Sequence, residues 1–140
     1  MRIAVIDGQG GGIGRVITER LVRTLGSRVE ILALGTNAQA TAVMLKAGAN
    51  EGASGENAVL YNADRVDMIV GALGVVCAHA FLGEMTPAMA AAVAGSRAKK
   101  ILLPLNRSNV ELVGVADEPL PHLVEKLVEK VRNHLENGGG

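Results

Sequence analysis

Apolar residues in this chain come in short unbroken runs, separated by stretches with helical spacing. Ile3-Ala4-Val5-Ile6 is such a run, so residues 2–6 read as a strand buried on both faces, as in a parallel sheet. From Ile13 the apolar residues Val16, Ile17, Leu21 and Leu25 recur at helical spacing, with Arg15, Glu19, Arg20 and Arg23 on the other side. Gly26 ends that helix, and Val29–Leu34 reads as the second strand. Thr36 or Asn37 caps a helix running to about Ala47, with Gly48 suited to its C-terminal end. Ala49–Asn57 is loop by composition, through Asn50, Gly52, Ser54, Gly55 and Asn57. Ala58–Tyr61 is a short strand candidate and Val66–Val70 a firmer one, with Gly71-Ala72-Leu73-Gly74 as its turn.

The pattern then predicts a helix over Val75–Leu82 and another opened by Thr86-Pro87 and closed by Gly95. Ile101–Leu105 reads as a strand in which Pro104 points to an edge or bulge, and Val110–Val115 as the last strand. Only Asn106–Asn109 separate these two, too few for a crossover, so the pair should be antiparallel. A final helix over about Pro121–Glu136 buries Leu123, Val124, Leu127, Val128, Val131 and Leu135. Alternating strands and helices predict an α/β fold: a doubly wound, mainly parallel Rossmann-like sheet with an antiparallel C-terminal strand. Residues 1–136 form one domain in this reading, and 137–140 a disordered tail.

Between the first strand and first helix lies Asp7-Gly8-Gln9-Gly10-Gly11-Gly12-Ile13-Gly14, with five glycines in seven residues. Glycine is costly in regular structure, so such a run marks a sharp turn or a close approach to the backbone. A strand, a glycine turn and a helix start together offer N–H groups and the positive end of a dipole to an anion. The competing reading is a turn that only lets helix pack on sheet. The spacing is neither G-x-G-x-x-G nor a P-loop, since Arg15 and Val16 stand where a P-loop has Lys and Ser or Thr. Asp7 would repel a bound phosphate unless a metal, a proton or a capping bond intervenes.

Gly8, Gly12 and Gly14 do fit G-x-x-x-G-x-G, and with Ile13 this loop resembles the cofactor loop of short-chain dehydrogenases. The resemblance covers the first strand, loop and helix, and the Gly71–Gly74 turn falls where those enzymes have another cofactor-lining loop. It implies NAD(P) or another nucleotide as ligand. Their Tyr-x-x-x-Lys pair is missing, because the only tyrosine, Tyr61, is followed by Arg65, so their chemistry does not carry over. Five further segments, Ile3–Gly14, Leu34–Ala42, Gly55–Asn57, Leu82–Met89 and Ile101–Arg107, together resemble a small bacterial family known only as domain of unknown function 3842. That resemblance implies a compact Rossmann-like protein of unassigned activity.

Ligands in doubly wound sheets sit beyond the carboxyl ends of the strands, near the switch in strand order. Gly35, Thr36 and Asn37, the turn with Gly71, Leu73 and Gly74, and the loop Asn106-Arg107-Ser108 should emerge on that edge. The second strand ends without an acid for a ribose 2′-hydroxyl, which leaves that role to Thr36 and Asn37 and keeps both NAD and NADP open. Arg107 is the candidate partner for a phosphate or carboxylate; an ion pair with Glu111 is the alternative. Cys77 and His79, two apart, do not form a nucleophile–base pair on a helix, and Cys77 reads as buried. Glu84 is read as capping, solvated or a general base, and Glu51 and Glu56 lie in a loop that could fold over a ligand. No His, Asp or Glu cluster has metal-ligand spacing.

The totals narrow the classes further. A chain of 140 residues has the size of one domain, and 14 basic against 14 acidic residues give no net charge. With Tyr61 and Phe81 as the only aromatics, neither a basic face nor a stacking platform for nucleic acid is visible. Met68–Gly83 carries no charge but is too short to span a membrane, and the N-terminal apolar run is too short for a signal peptide. A single cysteine rules out a disulfide framework within one chain and fits a reducing, cytoplasmic setting. Met85, Met89 and the Ala88–Ala94 run predict a close-packed helix or a homodimer face. Three readings follow. The first is a module binding a nucleotide or other small anion, the second a small enzyme using Asp7, Asn106 and Arg107 on an anionic metabolite. The third is a non-catalytic subunit or scaffold.

Overall fold

The computed structural model describes residues 1–105 and 109–138. Five strands form one sheet: β1 Arg2–Asp7, β2 Glu30–Gly35, β3 Glu51–Ser54, β4 Met68–Ala72 and β5 Lys99–Leu103. Their order is β3-β2-β1-β4-β5, and every pairing is parallel. The helices are α1 Gly12–Leu25, α2 Ala38–Lys46, α3 Glu56–Asn62, α4 Pro87–Ala94 and α5 Leu120–Glu136. The chain runs outward from β1 through β2 to β3, then crosses to β4 and β5 on the other side, the doubly wound Rossmann-like arrangement.

The unbroken apolar runs are explained by a core on each face. Ile3, Val5, Ile31, Ala33, Met68 and Val70 meet α1, α5 and Met44 of α2 on one side. Ala4, Ile6, Leu32, Leu34 and Ile69 meet α3, α4 and the segment after β4 on the other. Successive residues of a strand point to opposite faces, so a sheet covered twice shows no alternation.

Several expectations are corrected. Val110–Val115 forms no strand, and Val113 is 98% exposed; no antiparallel strand occurs among the described residues. The stretch read as loop contains β3, an edge strand of Gly, Ala and Ser that exists through its register with β2, from Leu32↔Glu51 to Gly35↔Ser54. Ala58–Tyr61 belongs to α3, whose one buried residue is Val59. Instead of a helix over Val75–Leu82, a 3₁₀ turn spans Leu73–Val76, and the chain then bends through positive φ at His79, Phe81 and Leu82. Met85 and Met89 lie inside the second core, so that part of the proposed self-association face is spent within the monomer.

No helix among the described residues is long and apolar enough to cross a membrane. Because Val113 is solvated, Val113→Asp should change stability by no more than about 0.5 kcal/mol, whereas Leu127→Ala in the α1–α5 core should cost about 2–5 kcal/mol. Urea denaturation of both variants checks this, and a large loss from Val113→Asp would restore a packed strand there.

Candidate functional site

β1 ends at the middle of the sheet, between β2 and β4, where the strand order reverses. Asp7 is its last residue and is 5% exposed. Its carboxylate accepts the Gly8 N–H at 2.8 Å with one oxygen and the Gly14 N–H at 2.7 Å with the other, pinning both ends of the glycine loop. Of the three ways to accommodate an acid here, a metal, a proton or a capping bond, these are capping bonds. Between them Gly11 takes φ +74° as N-cap of α1, its N–H donating to the Gly8 carbonyl at 3.0 Å and its own carbonyl receiving the Arg15 N–H at 2.9 Å.

The loop's donors divide into two groups. Gly8, Gln9, Gly11 and Gly14 give their N–H groups to Asp7, Glu84, Gly8 and Asp7 in turn. The N–H groups of Gly10, Gly12 and Ile13 have no acceptor among the described residues. The glycines divide in the same way. A Cβ on Gly8, Gly11 or Gly14 would sit 2.6 to 2.9 Å from Thr36, Ala40, Met44 or Asp7 atoms or closer, so these positions are packed. A Cβ on Gly10 or Gly12 would meet nothing within 4 Å, and neither has positive φ. The fold does not need glycine at those two places.

Above them opens a cavity of about 560 Å³, the size of a small-ligand site. Residues 7–13 form its floor, Ala72 borders it from the end of β4 and Gly74 from the turn after it, and Leu105 and Leu120 also line it. Ala80, Phe81 and Leu82 overhang it, while Arg15 and His79 add the polar side chains. Arg15 also pairs with Glu19 at 3.1 Å, a solvated pair that leaves the guanidinium accessible.

Thr36 and Asn37, at the end of β2, are engaged elsewhere. The Thr36 hydroxyl donates to Glu84 Oε1 at 2.6 Å. The Asn37 side-chain N–H donates to the Gln9 carbonyl at 2.9 Å and to Glu84 Oε1 at 3.0 Å, while its oxygen caps α2 at Ala40. The same Glu84 oxygen receives the Gln9 N–H at 2.7 Å, which helps hold Gln9 at φ +49°. Burial pushes the Glu84 carboxyl up, but the bonds from Thr36, Gln9 and Asn37 outweigh it and hold the group below its ordinary value of 4.5.

Of the remaining candidates, Gly74 borders the cavity; Gly35, Gly71 and Leu73 do not. Gly71 is there for packing, since a Cβ would lie 2.7 Å from the Ile6 carbonyl oxygen. Asn106 and Arg107 lie outside the described residues. Cys77 is half-buried, its thiol donating to the Leu73 carbonyl at 3.5 Å, and His79 is exposed at the cavity rim. Glu51 pairs with Arg2 at 3.3 Å and Glu56 accepts from the Thr86 hydroxyl, so neither closes over the loop. No group of three or more His, Cys, Asp or Glu among the described residues could hold a metal. Sequence reasoning missed Arg15, read only as helix surface, and the bridging role of Glu84, for which Gly83-Glu84 gave no signal beyond a turn.

Fold and site together define a Rossmann-like α/β protein with a glycine loop and a cavity at its switch point. The chain belongs to the family described as domain of unknown function (DUF3842), whose model matches residues 2–136. No curated protein and no solved structure matches it.

Because the folded value of Glu84 is the lower one, its ionised form adds stability above pH 4.5, and this is lost as pH falls through the folded value. Glu84→Gln should therefore melt below the wild type at pH 7, with the gap closing below pH 4.5. A gap that stays constant through that range would show that the Glu84 charge does not hold the loop.

Proposed function

We propose that this protein binds a nucleotide by seating a phosphate on the start of α1 at Gly10, Gly12 and Ile13. The observation that carries the reading is the coincidence of three unspent N–H groups with two glycines that the fold itself does not require. An anion there gains the N–H bonds and the positive end of the α1 dipole, with Arg15 near enough to add charge. The ligand body would lie among Leu82, Leu105 and Leu120. No reaction is part of the proposal. The half-buried single thiol agrees with a cytoplasmic location. A homodimer is also proposed, and with Met85 and Met89 internal it would use exposed apolar residues such as Leu60 and Tyr61.

The test separates binding from folding. Gly12→Ala should keep or raise the melting temperature, by up to about 1 kcal/mol of stability, because the new Cβ meets no protein atom. Gly14→Ala should lose about 1–3 kcal/mol, because its Cβ would fall 2.5 Å from Met44 Sδ and 2.9 Å from Asp7 Cβ. A phosphate-bearing ligand from a panel of AMP, FMN, NAD, NADP and FAD should stabilise the wild type in thermal-shift assays, and Gly12→Val should abolish the effect. An equal shift in Gly12→Val, or none from any of these with the wild type, would leave only a packing turn.

A further inference from the structure

A dinucleotide on a doubly wound sheet lies across the switch point, its pyrophosphate at the first helix and one ribose against the end of the second strand. In this chain the second half of that groove is filled. Thr36 and Asn37, the residues at the end of β2, give their donors to Glu84 and Gln9, and the Asn37 oxygen is spent on α2. The space beside Gly8, which faces Thr36, is closed: a carbon added to Gly8 would lie 2.6 Å from Thr36 Oγ1, 2.8 Å from the Phe81 ring and 2.9 Å from Glu84 Oε1. The cavity opens the other way: Thr36, Asn37 and Glu84 do not border it, whereas Leu105 and Leu120 do.

We propose, resting on the nucleotide reading above, that the site takes a mononucleotide or a phosphate monoester of that size. Glu84 and Phe81 act as a latch that excludes adenine dinucleotides. The phosphate sits on Gly10, Gly12 and Ile13, and the rest of the ligand turns toward Leu82, Leu105 and Leu120. The latch is built into the backbone. His79, Phe81 and Leu82 hold φ of 69°, 59° and 57°, a left-handed conformation that residues with side chains rarely adopt. It is braced by the His79 N–H to the Met85 carbonyl at 2.6 Å and the Met85 N–H to the Ala80 carbonyl at 3.0 Å, with the Met85 side chain fully buried. Strain kept in place by such bracing is typical of ligand clamps. A carboxylate at the end of β2 also opposes a ribose 2′-phosphate, so NADP is excluded by charge as well as by space.

The experiment compares matched halves and wholes on the full chain by isothermal titration calorimetry: FMN against FAD, and nicotinamide mononucleotide against NAD. The wild type should bind at least one mononucleotide more tightly than its dinucleotide by roughly tenfold or more. Glu84→Ala should gain dinucleotide affinity and narrow that ratio. Phe81→Ala opens the same space without touching the carboxylate, and is the second variant should Glu84→Ala fold poorly. A dinucleotide that binds the wild type as well as its half overturns the latch while leaving nucleotide binding intact, and so does an unchanged ratio in both variants. No binding by any of the four compounds overturns the latch, and no binding by AMP or NADP either overturns the nucleotide reading with it.

Discussion

The Asp7 carboxylate is the constraint from which the rest of the site follows. One oxygen holds the first amide of the glycine loop and the other holds the amide of Gly14, in the first turn of α1. Both bonds are buried, so losing the acceptor would strand two donors at about 1–3 kcal/mol each. The clamp fixes where α1 begins and which way its first turn faces. It also neutralises the objection that an acid cannot stand beside an anion, because the charge is already met by N–H donors and turned to holding the loop.

With its ends fixed, the loop has a fixed surplus. Glu84 takes the Gln9 amide and the loop's own turn takes that of Gly11, which leaves Gly10, Gly12 and Ile13 with donors bordering a cavity. Packing accounts for Gly8, Gly11 and Gly14, where a side chain has no room. It does not account for Gly10 and Gly12, where an added Cβ would meet nothing among the described residues within 4 Å. A glycine without a structural reason, next to a donor without an acceptor, is the physical content of the functional reading.

The sequence revealed the parts of the fold that rest on local pattern. The apolar runs of β1, β2 and β4, the Asn37 and Thr86 caps and the stripe of α5 were all readable, because burial and capping leave periodic marks. What stayed hidden depends on partners far along the chain. β3 is a strand because β2 lies beside it, although Glu51-Gly52-Ala53-Ser54 has no strand preference of its own. The apolar character of Val75–Leu82 reads as helix, yet the left-handed residues His79, Phe81 and Leu82 are held by the buried Met85 and its backbone bonds. Glu84 reaches the loop across 75 residues of sequence, a contact that no short-range spacing encodes. Thr36 and Asn37 do follow the carboxyl end of β2, as the turn after the second strand implies, but their donors go to Glu84 and the Gln9 carbonyl rather than into the cavity.

The most direct measurement is a titration of the ¹⁵N-labelled protein with AMP, followed by the amide resonances of the loop. The account predicts that Gly10, Gly12 and Ile13 move most and move together, while Gly8 and Gly14, held by Asp7, move least. Saturable shifts confined to other parts of the molecule, or a loop that does not respond to AMP at all, would contradict it.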